Sequence, residues 1–452
     1  MKTETKYLNY SSGVGTNMPG LIQKITAEIS AEISVAMAKE SQKILESMSL
    51  DKREQIIANI RTATLENAEQ LASMAVEETG MGNASHKILK NRLVAEKTPG
   101  TENVRQGITN SSLSPFGVIG AITPSTNPSE TVICNTIGML AGGNTVIFSP
   151  HPNALNTSRY AIDLVNRASA KAGGPDRIAF YASSVDMILD HKDIQLIVAT
   201  GGPGLVDVVL KSGKRGIGAG AGNPPVLVDE TANLRKAAED IINGCTFDNN
   251  LPCIAEKSIV ATADIADDLM SLMVNEQNCY LADEQELAKL RSLIFTEKGL
   301  NRKCVGKSAD TLLRMIGVRP HGVELSGNGS GSSGVRCIVF EGVKEDRLIA
   351  EELMMPILGM VRAKNFDNAL ETALWLEHGY RHSAHIHSRN IDRLNAYQKA
   401  MNTTIMVKNA PSYAALGFES DGYCSFTIAS RTGEGLTSAS TFMKKRFTAM
   451  GA

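Results

Sequence analysis

The chain has little of what marks several large classes of protein. Its 452 residues carry a formal net charge of -2, from 46 Lys and Arg against 48 Asp and Glu, so neither sign is in excess and no nucleic-acid partner is expected. With 42% apolar and 21% charged residues, the composition excludes a mainly disordered chain. No apolar run approaches the roughly 20 residues that span a bilayer, and the N-terminus lacks the apolar region of a signal peptide, so no membrane partner is expected. The seven cysteines, at 134, 245, 253, 279, 304, 337 and 424, include no CxxC pair. An odd, dispersed set in a long chain argues against a disulfide framework and a zinc ribbon, and for a reducing cytoplasm. A chain of this length suits two or three domains.

What is present is an alternation of helix and strand. Residues 1–19, with Ser11-Ser12-Gly13-Val14-Gly15 and Pro19, read as a flexible leader without amphipathic periodicity. Ile22, Ile25, Ile29, Ile33 and Ala36 recur at helical spacing, as do Ile56, Ile57, Ile60, Leu65, Leu71 and Met74, which predicts two or three helices ending at Gly80. Gly117 to Ile122 then reads as a buried strand closed by Thr123-Pro124. Further strands are predicted at 145–148, 178–181 and 194–199, separated by helices over about 128–141 and 156–172. Continuous apolar strands in a βαβα series predict a parallel sheet covered on both faces. Ligands of such sheets sit at the carboxyl ends of strands, which places 123–127, 149–151 and 200–203 on one rim.

Two stretches stand out beyond that sheet. Gly216 to Pro225 satisfies a GxGxxA spacing, but Pro224-Pro225 and Val226-Leu227-Val228 follow where a helix should begin, so a phosphate-cradling turn is not supported. Extended backbone close to something bulky, a ligand or the cysteine loop, is the reading. The second stretch is Phe247-Asp248-Asn249-Asn250-Leu251-Pro252-Cys253, whose turn-forming residues place Cys253 in a loop. A cysteine there is partly exposed, and with a favoured thiolate it would be a nucleophile. Helices at 265–276, 283–294 and 367–378 and a strand at 337–340 suggest a second α/β domain, interrupted by the Gly/Ser run 326–334. His382, His385 and His387 lack a carboxylate or cysteine to complete a metal site, since His382 falls on the opposite strand face from the other two. Lys444-Lys445-Arg446 reads as a solvated face.

Taken in order, Ser114 to Gly120, Thr123 to Pro128, Ser149 to Pro152, Ala199 to Gly204, Gly218 to Pro225, Phe247 to Lys257, Glu352 to Pro356 and Thr432 to Gly435 resemble the CoA-acylating branch of the aldehyde dehydrogenase superfamily. The likeness runs from about Lys24 to Arg446. It implies an α/β fold with two Rossmann-like parallel-sheet domains plus a small oligomerisation arm: a nucleotide-binding domain over 20–230, including part of the arm near 101–115, a catalytic domain over 231–412, and a segment from 413 to 452 returning to the first domain. It further implies that Cys253 attacks a short-chain aldehyde (propionaldehyde or acetaldehyde), that NAD takes the hydride, and that coenzyme A takes the acyl group from a Cys253 thioester, reversibly. The Cys253 N–H and the Thr126-Asn127 turn would stabilise the oxyanion, Thr126 standing where hydrolytic relatives carry an asparagine. Thr123, Pro124, Ser149, Pro150, His151, Gly201, Gly202, Pro203, Gly220 and Glu352 match cofactor-binding positions, Glu352 at the nicotinamide ribose and Ser149 where many relatives have lysine.

The most informative departure is an absence. Ala219 stands where hydrolytic members carry a glutamate general base. Water is a poor nucleophile without such a base, whereas a thiol of pKa roughly 8.5 ionises readily, so acyl-CoA is the expected product. A hydrolytic dehydrogenase and a catalytically silent nucleotide-binding scaffold are the alternatives. Val104 to Ser112 lacks the alternating apolar run from which relatives build an arm strand, which weakens the expected homo-oligomer. The cytoplasm, or the lumen of a bacterial microcompartment, is the location that the resemblance implies.

Overall fold

The computed structural model describes residues 18–104, 111–297, 299–319 and 334–449. The predicted leader therefore lies outside the described residues as far as residue 17, as does the Gly/Ser run from 326 to 333. The N-terminal helices are α1 (Met18–Ser47), α2 (Leu50–Glu66), α3 (Ala68–Thr79) and α4 (Ala84–Lys97). Ser49 caps α2 by accepting from the Lys52 N–H, and Gly80, at φ 66°, ends α3 in the left-handed conformation that suits glycine. In α1, Ile29 and Ile33 of the predicted apolar repeat are more than half exposed, whereas Val35, Ala38 and Leu45 are buried.

The first sheet follows. Its elements are β1 (Ser111–Pro115), β2 (Val118–Thr123), α5 (Pro128–Ala141), β3 (Thr145–Pro150), α6 (Leu155–Lys171), β4 (Ala179–Tyr181), α7 (Val185–Asp190), β5 (Ile194–Thr200), α8 (Pro203–Lys211) and β6 (Arg215–Ala219). Five of the strands pair in the order β4-β3-β2-β5-β6, all parallel. Every residue of β2 and β3 is buried, as helices on both faces require. Val35 and Ala38 meet this sheet where the Thr145 hydroxyl donates to the Ala38 carbonyl (3.0 Å), which explains the buried side of α1. The chain moves outward from β2 through β3 to β4 and returns on the other side through β5, so the strand order reverses between β2 and β5.

The second sheet comprises β7 (Pro225–Val228), α9 (Leu234–Thr246), β8 (Ser258–Thr262), α10 (Ala266–Glu276), β9 (Cys279–Leu281), α11 (Glu284–Ile294), the short pair β10 (Phe295–Thr296) and β11 (Gly299–Leu300), α12 (Ala309–Met315), β12 (Cys337–Glu341), α13 (Arg347–Ala350), β13 (Ile357–Ala363), α14 (Phe366–Leu376), β14 (Ser383–His387), α15 (Ile391–Met401) and β15 (Ile405–Lys408). Seven strands run parallel in the order β15-β14-β7-β8-β13-β12-β9. β7 lies inside this sheet although it precedes residue 230. Only residues 220–224 join β6 to β7, and five residues span at most roughly 20 Å. The carboxyl rim of the first sheet is therefore held close to the entering edge of the second.

The tail, with β16 (Ile428–Ala429), β17 (Gly435–Leu436) and β18 (Met443–Phe447), returns to the first sheet. The hydroxyls of Thr200 and Thr427 meet at 3.2 Å, and the Gly218 N–H donates to Thr432 (3.1 Å). β18 pairs antiparallel with β1, Ser111 opposite Phe447. A strand thus forms at 111–115, where a partner remote in sequence supplies the hydrogen bonds; of the stretch 104–112 that lacks apolar alternation, residues 105–110 lie outside the described residues. Lys444, Lys445 and Arg446 belong to that pairing. Among the described residues no helix is long and apolar enough to cross a membrane.

Candidate active site

Cys253 is held by a loop with unusual backbone geometry. After α9 the chain turns through Asp248 (φ 49°), Asn249 (φ 53°) and Asn250 (φ 66°), three successive left-handed residues of the types that tolerate this conformation best. Each is pinned. The Asp248 N–H donates to His86 Nδ1 (2.9 Å), and the Asn249 amide donates to the carbonyls of Gly82 (3.1 Å) and Gly306 (2.9 Å). The Asn250 amide donates to those of Cys245 (2.9 Å) and Glu256 (3.0 Å). Beyond the cysteine, the buried Lys257 ammonium donates back to the Asn250 carbonyl (2.9 Å), and His385 Nε2 contacts the Ile254 carbonyl oxygen (2.8 Å).

Of the seven cysteines, Cys253 is half-buried and the other six are buried. Its thiol is nonetheless pushed up to about 12, first by burial and then by the Glu352 carboxylate, against the pull of Lys257 and the N–H groups of Cys253 and Ile254. A favoured thiolate, as the sequence suggests, is not what this environment provides: at neutral pH the resting group is the thiol. Glu352 itself is raised to about 7 by burial, opposed by Lys257 and the Gly222 N–H. Glu256 is raised to about 8 by burial, although it accepts from the N–H (2.9 Å) and hydroxyl (2.7 Å) of Ser412. Gly222 explains the glycine-rich stretch: a Cβ there would lie 2.8 Å from the His382 ring and 3.1 Å from the Cys253 carbonyl. Cys253, Gly222, Glu352 and His382 thus gather at the entering ends of β7, β8, β13 and β14.

Most of the expected cofactor residues lie at the carboxyl ends of β2, β3, β5 and β6. Thr123 ends β2 and its carbonyl accepts from the His151 N–H (3.0 Å), which ties Thr123-Pro124 to Ser149-Pro150-His151 at the end of β3. Gly201 follows β5, and its N–H donates to the Ala219 carbonyl (3.1 Å) at the end of β6. Gly202 caps α8 with no side chain, Pro203 is its first residue, and a Cβ at Gly202 or Gly220 would meet nothing within 4 Å. The Thr123 hydroxyl, buried, has no hydrogen-bond partner among the described residues. An orphaned hydroxyl beside bare glycines at a strand-order reversal fits a dinucleotide. Ala219 is a buried methyl. His151 Nδ1 accepts from the Asn153 N–H (3.1 Å), so that ring nitrogen is already engaged.

Sequence reasoning missed a buried charge cluster. Lys87, Lys90, Glu130 and Asp248 are each at most 1% exposed. Lys87 Nζ donates to Asp248 Oδ2 (3.0 Å) and to the Thr126 carbonyl (2.9 Å). Lys90 Nζ donates to Asp248 Oδ2 (2.5 Å) and to Asn127 Oδ1 (2.5 Å), and pairs with Glu130 at 3.1 Å. Burial would raise the Asp248 carboxyl, but Lys87 and Lys90 outweigh it and hold it low. Burial lowers Lys87, whereas in Lys90 the two carboxylates overcome the same effect and raise it. A signal existed: Lys87, Lys90 and Asn91 occupy one helical face of α4, the face that elsewhere in the helix carries Leu93 and Val94 toward the core.

Beside the stem of the cysteine loop lies a cavity of about 830 Å³ whose lining includes His86, Leu89, Phe247, Arg336, Tyr413 and Phe418. Phe247 stacks on His86 (centroids 4.9 Å apart) and contacts Tyr413 (5.3 Å) and Phe418 (5.2 Å). The three histidines of the β14 region are kept neutral by burial, His382 and His385 lowered to about 4 and His387 to about 3. No group of three or more His, Cys, Asp or Glu that could hold a metal occurs among the described residues.

Comparison with known proteins gives a consistent result. The model of the aldehyde dehydrogenase family matches residues 17–423. The propanal dehydrogenase (CoA-propanoylating) of Salmonella typhimurium is 40% identical over 409 residues, 88% of this chain and 86% of its own. A propionaldehyde dehydrogenase from the Clostridium phytofermentans fucose utilisation bacterial microcompartment superposes with a TM-score of 0.89 at 62% identity, over 93% of this chain and 97% of the other. The Rhodopseudomonas palustris propionaldehyde dehydrogenase, solved with bound CoA and an acylated cysteine, has a TM-score of 0.88 at 45% identity, over 93% and 97%.

Proposed function

The chain belongs to the aldehyde dehydrogenase family, and on that premise we propose that Cys253 is the residue through which it converts short-chain aldehydes, propionaldehyde or acetaldehyde, to acyl-CoA with NAD and coenzyme A. The observation that carries this reading is a half-buried cysteine on a pinned left-handed loop, together with a buried methyl, Ala219, at the end of β6.

The chain's groups divide the chemistry as follows. Cys253 Sγ, once its proton has passed to solvent, forms a bond to the carbonyl carbon, and the carbonyl π electrons move onto oxygen. The Cys253 N–H and the Thr126-Asn127 turn receive that oxyanion, where each donor contributes about 10²–10³ in rate. Thr123, Pro124, Ser149, Pro150, His151, Gly201, Gly202, Pro203 and Gly220 would hold NAD, which would supply the hydride acceptor. Glu352 would hold the nicotinamide ribose. The C=O re-forms and leaves a thioester on Cys253. Attack by the CoA thiolate exchanges one thioester for another and returns the Cys253 thiolate, so the overall step runs in either direction. Ala219 offers no carboxylate to activate water.

Incubation with propionaldehyde and NAD, without CoA, followed by peptide mass spectrometry, tests the assignment. A propionyl group on the peptide that contains Cys253 is expected; modification at any other cysteine would refute it. The β1–β18 ribbon is further read as the arm through which copies of the chain associate, and a solution mass of one chain would remove that reading. Its similarity to a microcompartment enzyme supports work in the cytoplasm or in such a lumen, and failure to co-purify with shells would count against the latter.

A further inference from the structure

Two buried ammonium groups lie beneath the Thr126-Asn127 turn, and no step above uses them. An ammonium can only donate, so the Asn127 side-chain atom 2.5 Å from Lys90 Nζ is the carbonyl oxygen. That fixes the amide's orientation and leaves its NH₂ facing Thr126 Oγ1 at 3.2 Å. A hydroxyl that accepts one bond keeps its own hydrogen, which then points away from the donor. Asn127 occupies the N-cap position of α5 yet makes no side-chain cap bond; it holds the first turn through its main-chain carbonyl, which accepts from both the N–H (3.1 Å) and the hydroxyl (2.7 Å) of Thr131. Its amide has been diverted from the usual capping role to Lys90. Lys87 meanwhile holds the Thr126 carbonyl. Both ammonium groups close on the same oxygen of Asp248, five residues before Cys253 in the pinned loop, and the second Asp248 oxygen accepts from the Asn83 N–H (2.8 Å).

We propose that Lys90, Lys87 and Asp248 are positioning residues for thioester formation: Lys90 orients the Asn127 amide so that the Thr126 hydroxyl is left to donate to the oxyanion formed at Cys253, and Lys87 and Asp248 lock that turn to the cysteine loop. This rests on the nucleophilic role of Cys253. It explains how a threonine can serve where hydrolytic relatives use an asparagine. The hydroxyl's direction is set by its neighbour, and the neighbour's by a buried cation.

A double-mutant cycle tests it. Asn127→Asp keeps an acceptor for Lys90 but replaces the N–H donor with a second acceptor, so the Thr126 hydroxyl turns to the carboxylate; Thr126→Val removes the hydroxyl. In single-turnover NADH formation from propionaldehyde without CoA, each variant is expected to be ~10²-fold slower. The KM for NAD, the melting temperature and the rate of Cys253 alkylation by iodoacetamide should stay close to wild type. Because both substitutions remove the same donor, the double variant should be no slower than the slower single. Lys90→Met, where it folds, gives the same loss with the same alkylation rate. Losses that multiply in the double variant, or an Asn127→Asp rate within about twofold of wild type, overturn the proposal. A Cys253→Ala enzyme that still forms NADH overturns the nucleophile assignment instead, and the two failures are thereby distinguished.

Discussion

Cys253 differs from the other six cysteines in its exposure and in the loop backbone that holds it. Asp-Asn-Asn holds three left-handed residues before it, and the thiol that this loop presents is pushed up to about 12 by burial and by Glu352. A folded pKa raised above the ordinary value means that the anion is scarce at neutral pH and grows tenfold for each pH unit. Iodoacetamide alkylation of the free enzyme at Cys253 should therefore rise about 100-fold from pH 7 to pH 9 without levelling off. A plateau below pH 8 would mean that the thiolate already forms in the resting enzyme. The loop itself was legible, because its turn-forming residues are a local signal. Lys87 and Lys90 gave only the weaker signal of sharing a helical face with Val94. Lysine is almost never fully buried, so a pair in a helix reads as surface until the Asp248 and Glu130 carboxylates are seen beside it. Removing one member of such a buried set costs about 3–5 kcal/mol, which is why the sharper test alters Asn127 and leaves the ion pairs in place.

At the scale of elements, the strands buried on both faces announced themselves as continuous apolar runs, and β2, β3 and β5 lie within a residue or two of where the sequence puts them. β1 gave no such signal, since its pairing comes from β18 at the far end of the chain and its residues need not be apolar. The glycine-rich stretch shows how much a local reading can carry. Extended backbone near something bulky was legible from its prolines, but that the neighbours are the His382 ring and the Cys253 carbonyl required the fold. Gly222→Ala should displace the cysteine loop by a few tenths of an ångström or more. The acylation rate is then expected to fall by about an order of magnitude or more, since misplacement near 1 Å can cost 10²-fold, with NAD affinity retained. An unchanged rate would mean that the contact is slack and that Gly222 is only a linker.

At the scale of the whole molecule, five residues join the carboxyl end of β6, at the edge of the first sheet, to the entering end of β7, inside the second. The first contributes the carboxyl rim at the reversal between β2 and β5, and the second contributes Cys253 and Glu352 at its entering edge. The α/β class and a second α/β region were legible from alternation alone; that the second also holds a parallel sheet was an implication of the family resemblance. The relative placement of the two sheets was not legible, because it depends on β7 joining the second sheet and on the tail returning to the first. The central claim, that the acyl group leaves Cys253 to a thiol and not to water because Ala219 offers no base, is tested most directly by NADH formation from propionaldehyde with and without CoA. Without CoA the account predicts one NADH per active site followed by arrest; with CoA it predicts continued turnover and one propionyl-CoA per NADH. Undiminished turnover without CoA, with propionate as the product, would contradict it.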